Sequence, residues 1–276
     1  VWGSCQDPCE QVGQSALEHF SRAFLKGCRD PWAELYLRLA ADCLGGARDP
    51  RPFLEAAQAL DGLASAPPHL KDLARCFRAG WLAARGEYSA CSEAASPLQF
   101  VDRWALIGPF DNRDRSGFDR SFAPEEEVDL EKSVQGRNRL VKWFQPSSRP
   151  LLGRAELDEV FVPNTHSLAY ALTFVKAAAA GWAVLRLGAA GALKVWLNER
   201  EVGRIAEYND FAPDKAAVPV YLHKGYNGLL VKSAIGEEAG WSFAVRISRP
   251  EGGPVPELVV ESGAAALEAY RAERAG

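Results

Sequence analysis

The chain has 276 residues, of which 47% are apolar and 25% charged, with a formal net charge of -4. That is the make-up of ordinary globular protein, with length enough for two domains. The charge is evenly spread with no basic stripe to grip phosphates, so nucleic acid is not an expected partner, and no apolar run nears the 18 or so residues of a membrane span.

Cys5, Cys9, Cys28, Cys43, Cys76 and Cys91 all precede residue 92, and no cysteine follows. An even count confined to one region predicts three disulfides and an oxidising compartment, with the pairing open. Buried thiols packed among helices are the plainer alternative. The start at Val1, with no basic and apolar leader, is expected of a mature form whose signal peptide has been removed, or of a fragment. The expected location is therefore periplasmic, secreted or cell-surface.

After a lead-in over residues 1–9, four helices are predicted at about Glu10–Lys26, Pro31–Leu44, Pro52–Ala64 and His69–Ala84. Leu17, Phe20 and Phe24 recur at three- and four-residue steps, as do Leu35, Leu39 and Cys43. Asp30-Pro31 is a helix-start signal and Gly45-Gly46 a stop. Short connections between the four predict antiparallel hairpins, TPR-like, over residues 1–95.

A connector, Ser92–Val101, leads to a strand at Trp104–Ile107, a bend at Gly108-Pro109 and a polar loop, Asp111–Gly117. Residues Phe118–Val141 show little periodicity. Seven short pieces then follow, at Leu168–Lys176, Trp182–Leu187, Leu193–Asn198, Val202–Glu207, Ala217–Leu222, Asn227–Ser233 and Trp241–Ile247. Each is rich in Val, Leu and aromatic residues and closed by turn formers, the pattern of an antiparallel sandwich over residues 96–250. Leu193, Val195 and Leu197 share one face, and Lys194 and Trp196 the other, so one face is expected buried and one partly wet. Residues 251–276 read as a tail with a short helix. The fold class is thus α+β in two domains: helical hairpins, then a β-sandwich of jelly-roll type.

Chemistry is sparse. His19, His69, His166 and His223 lie in no motif that links a base to a nucleophile, and no phosphate loop, dinucleotide fingerprint or H-E-x-x-H occurs. An enzyme is not expected, and neither is a cofactor. Asp111, Asn112, Asp114 and Asp119 are oxygen-rich enough to permit calcium, although they depart from the usual calcium-loop pattern. Trp143, Trp182, Trp196, Tyr208, Phe211 and Trp241 are aromatics that could stack on sugars, with Asn209 and Asp210 as polar neighbours. The candidate ligand site is therefore Tyr208, Asn209, Asp210, Trp143 and Trp241. Trp196, pointing outward, is the candidate protein interface.

Trp104-x-Leu106-Ile107-Gly108-Pro109-Phe110-Asp111-Asn112, Gly117-Phe118-Asp119, Pro124-Glu125 and Val128-Asp129-Leu130 resemble a segment of bacterial extracytoplasmic proteins. Those proteins carry transglutaminase-like regions of the DUF3857 type. Val195-Trp196-Leu197-Asn198, Lys224-Gly225-Tyr226-Asn227 with Leu229–Lys232, and Trp241-x-Phe243-x-x-Arg246-Ile247 are similar to a galactose-binding-like β-sandwich. The turn departs from that pattern, since Glu199 stands where glycine is usual. No cysteine follows residue 91, so the resemblance implies an accessory role without catalysis. The expected function is a structural or interaction protein of an extracytoplasmic assembly, with other protein subunits as partners. A carbohydrate-binding module, with glycans as partners, is the alternative.

Overall fold

The computed structural model describes residues 8–238 and 240–275, with side chains from Val12 onward. It divides into two compact units. One runs to Leu98 and takes in Glu251–Gly253; the other holds Gln99–Pro250 and Pro254 onward.

Among the described residues the first unit has five α-helices: α1 (Pro8–Lys26), α2 (Ala33–Cys43), α3 (Arg51–Gly62), α4 (Pro68–Ala84) and α5 (Tyr88–Ala95). Prolines stand in the first turns of α3 and α4, where a missing N–H costs nothing. Leu17, Phe24, Leu37, Phe53, Leu60 and Leu70 form the core, with Phe24 edge-on to Phe53 at 6.0 Å. Glu251–Gly253 belongs here because His69 N donates to Glu251 O at 3.1 Å and Gly253 N donates to Asp72 Oδ2 at 2.7 Å. Gly252, at φ +106°, lies so near that a Cβ would stand 2.3 Å from His69 N, and only glycine fits.

The expected three disulfides are not seen among the described residues. Cys28, Cys43, Cys76 and Cys91 are thiols, none bonded to another, and the side chains of Cys5 and Cys9 lie outside the described residues. The physical reason is packing: Cys28, Cys76 and Cys91 are buried on helix faces as small apolar groups. Burial raises the Cys91 pKa, and burial with the nearby Asp42 charge raises that of Cys43.

The second unit holds β1 (Gln99–Phe100), β2 (Ala105–Asp111), the single turn α6 (Ala123–Glu126), β3 (Val134–Gln135), β4 (Leu140–Val141) and β5 (Arg154–Glu156). The long strands follow: β6 (Ser167–Ala177), β7 (Gly181–Ala190), β8 (Ala192–Leu197), β9 (Arg200–Ile205), β10 (Ala212–Leu222), β11 (Gly225–Ile235) and β12 (Ser242–Ser248). β13 (Leu258–Glu261) and α7 (Ala264–Ala275) complete it. All pairings are antiparallel. The first sheet has the order β1-β12-β7-β10, with β5 also on β12; the second has β13-β6-β11-β8-β9, with β2 also on β6. Leu185, Leu187, Phe243, Val245, Leu193, Val195 and Val231 meet between them in one core.

Four expectations change. β2 continues through Gly108-Pro109 to Asp111, with a bulge against β6. The β8–β9 turn keeps two residues, Asn198 at φ +50° and Glu199 at φ +69°. It holds because Asn198 bonds Asn227 Oδ1 at 3.0 Å and accepts from Gly228 N at 2.9 Å. The C-terminal helix is no tail: Ala266, Leu267 and Tyr270 of α7 are buried against the second sheet's outer face. That face is also not wet, since Phe118, Val141 and Trp143 from the segment between β2 and β6 cover it as well.

Thiol alkylation of the folded protein should reach half-buried Cys43 first and leave Cys91 unmodified until denaturant is added. Peptide mass analysis after denaturation without reductant should find all four residues, Cys28, Cys43, Cys76 and Cys91, alkylated. Resistance of any of them in denaturant would show a bond the structure lacks.

Candidate functional site

The second sheet's outer face carries two lysines that are Cα partners, Lys194 on β8 and Lys232 on β11. Both are buried. Like charges directly opposite each other are destabilising, and a desolvated ammonium costs several kcal/mol more. The covering segment supplies what they lack. Lys232 Nζ donates to Glu125 Oε1 at 2.9 Å and to Arg120 O at 2.6 Å, and Tyr170 OH donates to the same carboxylate. Lys194 Nζ donates to Asp119 Oδ1 at 2.6 Å. The phenyl rings of Phe118 and Phe122 lie under the two ammonium groups at 4.6 and 5.3 Å. Burial lowers the Lys232 pKa despite Glu125, and the Lys194 bond lowers that of Asp119.

Three of the four residues expected to permit calcium have other partners in the structure. Asp119 is the counterion of Lys194, Asp111 lies beside Arg137 at 3.3 Å and Arg113 at 3.6 Å, and Asp114 is exposed at φ +52°. Asn112 is buried and donates to Ile235 O at 2.9 Å and to Tyr208 OH at 3.2 Å. Among the described residues no three His, Cys, Asp or Glu side chains converge as metal ligands.

The expected ligand site also disperses. Trp241 is fully buried between the sheets, its Nε1 donating to Ser233 Oγ at 3.0 Å, and Trp143 is buried in the outer-face cluster. Tyr208 stands edge-on to Phe118 under the Arg115 guanidinium, and burial raises its pKa. Asn209 and Asp210 use their carbonyls on Gly191 N and Lys215 Nζ. Trp196 is half-buried against the same cluster, so the chain itself covers it. A hollow of about 80 Å³ beside Trp143, lined by Pro124, Glu126 and Lys132 among others, is well below the roughly 300–1,000 Å³ of small-molecule sites.

One of the six stacking candidates is open. Trp182, outward on β7, is 64% exposed, and its Cα partner Tyr221 on β10 is 45% exposed. Their ring centroids are 5.6 Å apart and their planes cross at 80°; the His223 ring stands 5.8 Å beyond Tyr221. β10 is the edge strand of the first sheet and carries Pro213 and Pro219, which blunt it against strand addition. Ala217 and Pro219 are exposed on the same face, so the corner formed by the two rings is approachable. Tyr221 and His223 are not among the stacking residues expected from sequence. The period-two row Ala217, Pro219, Tyr221, His223 was their signal, and it needed the β7–β10 register to join it to Trp182.

No protein-family model and no curated protein sequence matches the chain. Among solved structures it is similar over 54% of its length to a GH2 beta-galacturonidase from Eisenbergiella tayi, at 11% identity and a TM-score of 0.32. It is similar over 56% to a glycosyl hydrolase family 2 member from Bacteroides cellulosilyticus, at 15% identity and 0.35. A family 35 carbohydrate binding module from Clostridium thermocellum matches over 30% of this chain and 71% of its own, at 14% identity and 0.23. The chain spans a quarter or less of the two glycosidase chains. At these scores the likenesses carry nothing about activity. No described helix is long and apolar enough to cross a membrane.

Removing one member of the buried pair should be costly. Glu125→Ala is expected to lose about 3–5 kcal/mol in urea unfolding, the range for a buried ion left without its partner. Lys232→Met combined with Glu125→Leu should lose less than Glu125→Ala alone. A single-mutant loss under about 1 kcal/mol, the range of exposed pairs, would contradict the burial described here.

Proposed function

We propose that the sandwich unit is a glycan-binding module whose contact surface is the Trp182–Tyr221 corner, with no catalytic step of its own. The supporting observation is an exposed tryptophan and an exposed tyrosine, cross-strand neighbours at a proline-blunted edge. A pyranose ring has an apolar C–H face, and an aromatic ring presents the electron-rich face that such hydrogens meet. Two rings at 80° form a corner rather than a flat shelf. That shape suits a single sugar chain, one ring stacked and its edge against the second aromatic, better than a flat crystalline surface. Two exposed aromatic side chains are far fewer than the roughly 20–30 residues a side of a stable protein interface, which favours a few sugar rings over a protein. The sandwich is read as galactose-binding-like, an accessory to a larger extracytoplasmic protein.

Contact with a partner protein is the second reading, and it belongs to the helical unit. Trp32 and Leu35 lie three residues apart at the start of α2 and are 60% and 45% exposed. Aromatic residues with an aliphatic neighbour are frequent interface anchors.

Trp182→Ala and Tyr221→Ala should each weaken retention in polysaccharide affinity electrophoresis by about tenfold, or roughly 1.4 kcal/mol. Their melting temperatures should stay near that of the parent, because both side chains are exposed. Equal retention of parent and both variants across neutral and acidic polysaccharides would remove the corner as the contact surface.

A further inference from the structure

The first sheet's outer face carries a guanidinium that its surroundings do not neutralise. Arg246 on β12 and Arg186 on β7 are Cα partners on the two central strands. Arg246 is buried and forms a two-pronged pair with Asp214, Nε to Oδ1 at 3.0 Å and Nη2 to Oδ2. Arg154, further along the same face, pairs with Glu156 at 2.8 Å. Arg186 has only Ser248 Oγ, 3.2 Å from its Nε, and no carboxylate among the described residues. Two like charges opposite each other on neighbouring strands with one counterion between them is an unfavourable arrangement. It becomes favourable when an anion completes it.

Arg186 shares its strand and its face with Trp182, four residues away, which is about 13 Å at 3.3 Å per residue. That is the span of a short oligosaccharide, with Val184, 8% exposed, between the two on the same face. A planar guanidinium with free N–H groups matches a carboxylate fork-to-fork. We infer that the glycan bound here is anionic, carrying uronic acid, with Arg186 receiving a sugar carboxylate while the Trp182–Tyr221 corner stacks a neighbouring ring. This rests on the glycan reading above and names its ligand class. Sulfated sugars offer the same charge and are the other source of the anion.

The test is affinity electrophoresis and calorimetry of the whole chain. The ligands are polygalacturonate, its fully methyl-esterified neutral form, a sulfated galactan and a neutral glucan. Polygalacturonate is expected to bind at least about tenfold more tightly than its ester, with the advantage shrinking as salt rises. Arg186→Gln should bring the two to the same affinity without moving the melting temperature, and Arg186→Lys should restore part of the difference. Trp182→Ala should weaken binding to both. Tight, Arg186-dependent binding of the sulfated galactan in place of polygalacturonate would keep the anion site and overturn the carboxylate. Equal binding of polygalacturonate and its ester, lost in Trp182→Ala and unchanged in Arg186→Gln, would overturn the anionic assignment and leave the glycan reading standing. Binding of none of the four glycans would overturn both.

Discussion

Two buried ammonium groups side by side on one sheet face constrain the sandwich unit more than any other feature. Lys194 and Lys232 are register partners, and neither reaches water freely. Without Asp119 and Glu125 the outer face of the second sheet would hold two uncompensated charges, each costing several kcal/mol. The segment between β2 and β6 therefore has to lie where it does, and it brings Phe118, Phe122 and Trp143 with it. That segment has almost no secondary structure of its own. Two salt links and several aromatic side chains set it onto the sheet, together with backbone bonds such as the pair between Leu106 and Phe144.

The first sheet solves a similar problem by half. Arg246 and Arg186 repeat the like-charge pairing on its central strands, but Asp214 answers only one of them. Phe211 closes over Gly188 and Arg154 over Phe211, so the chain preceding β10 covers part of this face. Beyond that cover lie Arg186 and then the aromatic corner. The proposed contact surface thus falls on the sheet whose charges are incompletely matched.

Much of the architecture was legible because period-two patterning is strong in long strands. All seven pieces between Leu168 and Ile247 are strands, with ends shifted by a few residues. β10 begins earlier than its pattern suggests because Asp214, at φ +51°, sits in a bulge that hides the alternation. α5 is not legible because Ser and Ala give Tyr88–Ala95 a weak apolar stripe, and only three buried residues anchor α7. Alternation alone puts Lys194 on a face expected to be partly wet. A buried lysine looks the same as an exposed one until its counterion is found 75 residues away in sequence. The residues proposed to contact sugar were half legible for the same reason. Trp182 stood out by type, whereas Tyr221 and Arg186 acquired meaning only from strand register.

The second sheet's outer face is closed, while the first sheet offers an open corner. Hydrogen-exchange mass spectrometry with and without an oligogalacturonide tests this directly. Residues 113–145 should be protected in the free protein and unchanged by the sugar, while added protection should appear over 181–188 and 215–224. Rapid exchange across 113–145 in the free protein, or sugar-induced protection centred there, would contradict it.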